Sequence, residues 1–149
     1  MRKFKRRVKN LTDYQSRLKL LRGEAPRLVV RHSNCYIYAQ FVEYGRKGDI
    51  VLAQANSKEL LGIDFPSAST SNTTAAYLTG LLAGLRAKEK GVERAVLDAG
   101  LSVVTRGSRT LAALGGAVDV GIDIPHDPSS LPRDRIEDKP YSERIMEVA

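Results

Sequence analysis

Between residues 27 and 90 the hydrophobic period of this chain changes once, and that change limits the folds open to it. Up to Asn56 apolar and polar side chains alternate. From Asn72 onward apolar side chains recur at helical spacing. In RLVVRHSN (27–34), Leu28 and Val30 alternate with Arg27, Val29 and Arg31. In CYIYAQFVE (35–43), Cys35, Ile37, Ala39 and Phe41 alternate with Tyr36, Tyr38 and Gln40. Both segments read as strands, joined by a turn at Ser33-Asn34. The segment Gly45–Gly48 turns the chain again into a third strand, DIVLAQANS (49–57). Then a polar run, SASTSNTT (67–74), leads into a helix from Asn72 to Lys90. Here Leu78, Leu81, Leu82 and Leu85 fall at i, i+3, i+4 and i+7. Gly91 stops it, and ERAVLDAG (93–100) reads as a short buried strand returning beside the three-stranded meander.

A second helix is expected over Ser108–Val118, and GIDIP (121–125) as a short strand or extended segment. The sum is an α+β fold, a mixed sheet with helices on one face. Three stretches divide it: a basic N-terminal arm and short helix (1–22), one globular domain (23–124), and a Pro-containing acidic C-terminal tail (125–149). The tail carries eight acids against four bases from Asp119 onward. It is expected to be irregular, with room for a short helix over Ser142–Glu147. In the arm, Thr12 or Asp13 caps a helix to about Leu21, with Tyr14, Leu18 and Leu21 on one face.

The charge is placed as unevenly as the period. Residues 1–22 hold nine Lys/Arg against one acid, Asp13, a net of +8, while the whole chain carries +7. A basic arm on a nearly neutral body is the composition of a polyanion binder. One-sided helix cover leaves the other sheet face open, where Arg31, Tyr36, Tyr38 and Gln40 would lie. Such residues bind phosphates, stack on bases and donate hydrogen bonds, as a folded RNA requires. The polar run before the long helix serves either as a phosphate site or as a cap. Gly80 and Gly84 permit close helix–sheet packing. The loop TRGSR (105–109) is either an RNA-backbone contact or a solvated loop. Cys35, the one cysteine, sits on the expected core face and fits a reducing compartment.

Enzymatic chemistry is thin. His32 and His126 are the only histidines, and no His/Cys/Glu cluster has metal-ligand spacing. Glycine-rich phosphate loops and nucleophile elbows are absent from the sequence. No catalytic residue, metal or cofactor is expected, and no small-molecule substrate. A phosphate-ester hydrolase using Asp98, His126 and Asp127 is the rival from another class, and a non-specific RNA chaperone the other alternative. The longest apolar-leaning stretch, Ala75–Leu85, is far short of a bilayer span, and the N-terminal cluster lacks the apolar segment of a secretory signal. No membrane role is expected.

The run RLVVRHSNCYIYAQFVE, then VLAQANS, STSNTTAAYLTGLLAGLRAKEKGVERAVLDAG and RGSRTLAALGGAVDVGIDIPHDP, in that order, resembles the large-subunit ribosomal protein family that binds 5S ribosomal RNA. It is numbered eighteen in the bacterial large-subunit series, and the wording is that of the archaeal and eukaryotic branch. The resemblance implies a non-catalytic clamp in the cytoplasmic large subunit, with 5S rRNA, large-subunit rRNA and neighbouring ribosomal proteins as partners. Carried over by position, it implies RNA contacts from Arg2, Lys3, Lys5, Arg6, Arg7 and Lys9 in the arm. Tyr14, Arg17 and Arg22 would act from the first helix, and Arg31, Ser33, Asn34, Tyr36 and Gln40 from the hairpin. Bacterial relatives carry an Asp-Arg-Gly turn where this chain has Asp98-Ala99-Gly100, so that turn is not counted as a site.

Overall fold

The alternating segments pair as the period requires. A computed structural model describes residues 2–136 and 139–148. In chain order its elements are α1 (Lys5–Val8), α2 (Tyr14–Arg22), β1 (Arg27–His32), β2 (Ile37–Glu43), β3 (Ile50–Asn56), α3 (Thr73–Glu89), β4 (Val96–Asp98), α4 (Arg109–Asp119) and α5 (Lys139–Val148). The four strands form one sheet in the order β3-β2-β1-β4. β1, β2 and β3 are an antiparallel meander, and β4 returns parallel to β1, with Leu28 opposite Leu97. A parallel neighbour demands a crossover, and α3 supplies it. The fold is α+β, as expected.

The strand parity places Leu28, Val30, Ile37, Ala39, Phe41, Ala53 and Ala55 on the core face, all buried. α3 packs on that face against β2 and β3, and α4 packs on α3. Asn72 caps α3 through a hydrogen bond from the Ala75 N–H to its Oδ1 at 2.7 Å. The polar run before the helix thus begins its cap.

Four expectations need correction. α3 is buried on every side from Ala75 to Gly84 rather than along one stripe, because sheet and α4 enclose it. Gly80 serves helix–helix contact, not helix–sheet packing. A Cβ there would collide with the Ala113 carbonyl, and one on Gly116 of α4 with the Tyr77 carbonyl. These two glycines let the backbones of α3 and α4 touch. Cys35 is exposed, not in the core. The Ser33 Oγ accepts the N–H of Tyr36 (3.0 Å) and of Cys35 (3.3 Å), so residues 33–36 form the turn and the alternation starts only at Ile37. In α2, Leu18 is exposed, and the half-buried side chains are Tyr14, Arg17, Leu20 and Leu21.

The segment after Pro125 packs on the core rather than trailing from it as an irregular tail. Leu131 and Ile145 are buried, and Tyr141 meets Phe65 edge-on at 5.0 Å. Asp119 binds this segment to the core. It accepts the Tyr77 hydroxyl at 2.7 Å and the Arg133 guanidinium at 2.9 Å. The expected short helix lies inside α5, which is longer at its start. Glu137, Asp138 and Ala149 of the acidic stretch lie outside the described residues. Among the described residues, no helix is long and apolar enough to cross a membrane.

Candidate nucleic-acid interface

No described residue before Arg27 is buried. The arm's cations are therefore at the surface, where hydration costs little and an external anion can reach them. α1 is a single turn. Phe4 beside it stacks on Tyr14 of α2 at 5.1 Å, and the Arg6 Nε donates to the Thr12 Oγ1 at 2.9 Å. Asp13, the arm's one acid, caps α2 by accepting the N–H groups of Gln15 and Ser16. The hydrogen bonds from Ser16 hold its carboxyl below the usual range. Its charge serves the helix N-terminus first, with a weaker attraction to Lys19.

α2 meets the outer face of the sheet through a chain of ion pairs. Arg27 points to that face, opposite in parity to Leu28, and it is buried rather than open. Its guanidinium donates to the Asp98 Oδ2 at 2.8 Å and to the Asp49 Oδ2 at 2.7 Å. Arg17 of α2 donates to the same Asp49 oxygen at 3.0 Å. Burial alone would raise both carboxyl pKa values. For Asp49 the hydrogen bonds from Arg17 and Arg27 outweigh it. For Asp98 the Gly100 N–H, Arg31 and Arg27 do the same, so both groups lie below the usual carboxylate range.

Beside this seam runs a groove of about 790 Å³, bounded by Arg6, Tyr14 and Arg17 on one side and by Asp98–Ser102 on the other. Arg31 lies in it, its side chain nearly half exposed. Its guanidinium donates to the carbonyls of Val30 and Asp98, each at 2.8 Å. Gly100 is required here twice over: its φ is +64°, and a Cβ would press on the Arg31 guanidinium. Asp98, whose Oδ1 accepts the Gly100 N–H at 2.9 Å, thus builds the turn and aims two arginines.

The groove brings together Arg6, Tyr14, Arg17 and Arg31 of the expected contacts. Arg2, Lys3, Lys5, Arg7, Lys9 and Arg22 are exposed, with no ion-pair partner among the described residues. Ser33, Asn34 and Tyr36 do not line the groove; they form the hairpin turn that follows β1. Gln40 lies on the open part of the outer face, its amide donating to the Gln54 carbonyl oxygen at 3.2 Å. Arg109 of the TRGSR loop is held internally, by the Ser71 carbonyl and hydroxyl and by His32 Nδ1. Burial, followed by the Arg109 charge, lowers the His32 pKa. His126 and Asp127 serve structure as well: the ring bonds the Ile124 carbonyl at 2.6 Å, and Asp127 caps the turn at Ser129. Sequence reasoning missed Leu101, which lines the groove, and Val103 and Val104, exposed with it in the loop after β4.

Comparison with known proteins settles the family. The model of the family described as ribosomal large subunit proteins 60S L5 and 50S L18 matches residues 1–93 and 85–127. The chain belongs to this family. It is 48% identical over 147 residues to the large ribosomal subunit protein uL18 of Korarchaeum cryptofilum, covering 99% of this chain and 73% of the relative. The uL18 of Haloarcula marismortui is 52% identical over 123 residues, 83% of this chain and 65% of its own length. That of Methanothermobacter thermautotrophicus is 46% identical over 146 residues, 98% and 74% respectively. The chain is thus a structural constituent of the large subunit of the cytoplasmic ribosome, not an enzyme, and it associates with ribosomal RNA and ribosomal proteins.

Proposed function

We propose that this chain binds 5S ribosomal RNA and helps attach it to the large-subunit RNA. The carrying observation is a net charge of +8 on the first 22 residues, none of the described ones buried, beside a groove that holds Arg6, Arg17 and Arg31. Arg2, Lys3, Lys5, Arg6, Arg7 and Lys9 capture phosphates. Tyr14, Arg17 and Arg31 then fix orientation in the groove and Arg22 contacts RNA from the end of α2, while Ser33, Asn34, Tyr36 and Gln40 contact RNA along the hairpin and outer face. Six phosphate contacts by the arm give a slope of log K against log salt of roughly −4 to −5.

The test is competition between 5S RNA and an unrelated structured RNA of equal length, at two salt concentrations. A preference for 5S that survives the higher salt is the expected result. Equal affinity for both RNAs, vanishing together as salt rises, would reduce the chain to a non-specific RNA binder.

A further inference from the structure

Beyond the arm and its groove, the outer sheet face has a second depression, of about 380 Å³ and lined by Tyr38, Gln40, Gln54, Asn56, Lys58 and Glu59. That volume falls in the range of small-ligand sites, about 300–1,000 Å³. Strand register assembles it: Tyr38 lies opposite Asn56, and Gln40 opposite Gln54. Tyr38 is 44% exposed in spite of its place mid-sheet. Resting on the RNA-binding reading above, we propose that this depression takes a single unstacked RNA base, with Tyr38 as its stacking platform.

The chemistry of the wall fits that occupant. Gln40 donates its amide N–H to the Gln54 carbonyl, so the Gln40 carbonyl and the Gln54 amide hydrogens keep hydrogen-bonding capacity. Asn56 uses its Oδ1 on the Lys58 N–H and keeps its own NH₂. A planar edge with both donors and acceptors therefore finds its complement here, above a ring it can stack on. One cation, Lys58, lines the depression with the ring, while Arg31, the cross-strand neighbour of Tyr38, reaches away toward Asp98 of β4 and lines the groove beside α2. Glu59, which also lines the depression, accepts from the Asn56 N–H and from Arg86. A strand leaving the groove at Arg31 meets Tyr38 on the adjacent strand. An apolar protein side chain would instead strand this amide-lined floor without partners. Paired bases keep their faces stacked, so the site selects an unpaired nucleotide.

The experiment measures binding of the full chain, and of its Tyr38→Ala, Tyr38→Phe and Gln54→Ala variants, to 5S RNA and to a fully paired RNA duplex of equal length. Tyr38→Ala is expected to weaken 5S binding about tenfold, with duplex binding, the salt slope and the thermal melt unchanged. Tyr38→Phe keeps the ring and stays within about twofold of wild type, and Gln54→Ala falls between. Wild-type affinity for 5S in Tyr38→Ala, or an equal loss on both RNAs, would overturn the base pocket while leaving the 5S reading intact. A wild-type chain that does not prefer 5S to the duplex would overturn both.

Discussion

Along residues 2–26 no side chain is buried, whereas α3 buries every residue from Ala75 to Gly84. The two regions also use cations in opposite ways. In the body, Arg27, Arg31, Arg86 and Arg133 are paired with Asp98, Glu59 and Asp119, and Arg109 is held by Ser71 and His32. In the arm, Arg2, Lys3, Lys5, Arg7 and Lys9 have no ion pair among the described residues. A cation paired and buried, as Arg27 is, contributes to shape, while an exposed one is available to an outside anion; Arg17 and Arg31, paired yet partly exposed, face both ways. The difference separates the stability of this protein from its binding, and Arg17–Asp49–Arg27 is the seam between them.

That separation can be broken first by removing residues 1–10. Affinity for RNA should fall on the order of 1,000-fold at moderate salt, with the thermal melt of the body unmoved; a lowered melting temperature would show the arm to be part of the fold. The converse change is Gly80→Val. Its side chain meets the Ala113 carbonyl across the α3–α4 contact, and the cost should be about 3 kcal/mol or more in denaturant titrations. The salt slope of the molecules that remain folded should not change.

The seam sharpens the comparison. Asp98→Ala leaves Arg27 buried with one carboxylate instead of two, and should cost about 2–3 kcal/mol. A pH titration gives a smaller effect of known sign. Asp49 and Asp98 have folded pKa values below 3.8, so their stabilisation is complete above the unfolded value and is lost as pH falls through the lowered folded ones. Wild type should therefore lose stability below about pH 4 more steeply than Asp49→Asn, and the two curves should converge in acid. Smallest is Cys35→Ser, expected within about 0.5 kcal/mol of wild type, with the Cys35 thiol reacting freely in the folded protein. Protection of that thiol would contradict its place in the turn.

Much of the body was legible because its signals are local. The Leu78–Leu85 spacing, the Asn72 cap and the alternation from Ile37 to Phe41 each specify a structure within a few residues. What escaped depends on partners distant in sequence. Arg27 reads as an open-face cation until Asp98, 71 residues away, closes on it. Gly80 reads as a space for the sheet until α4 arrives. The packing of Leu131 and Ile145 was hidden by the prolines and charges around them. In the candidate interface the arm's cations needed only composition. The groove at Arg31 and the floor around Tyr38 needed the register of β1, β2 and β3.

The division between arm and body is tested most directly by amide hydrogen exchange on the full chain, alone and with 5S RNA. Without RNA, amides of residues 2–11 should exchange at nearly unprotected rates while those of α3 and α4 exchange slowly. With RNA, the arm should gain protection of at least about tenfold, and α3 and α4 should stay as they were. An arm already protected in the free protein, or one still unprotected in the complex, would contradict the account.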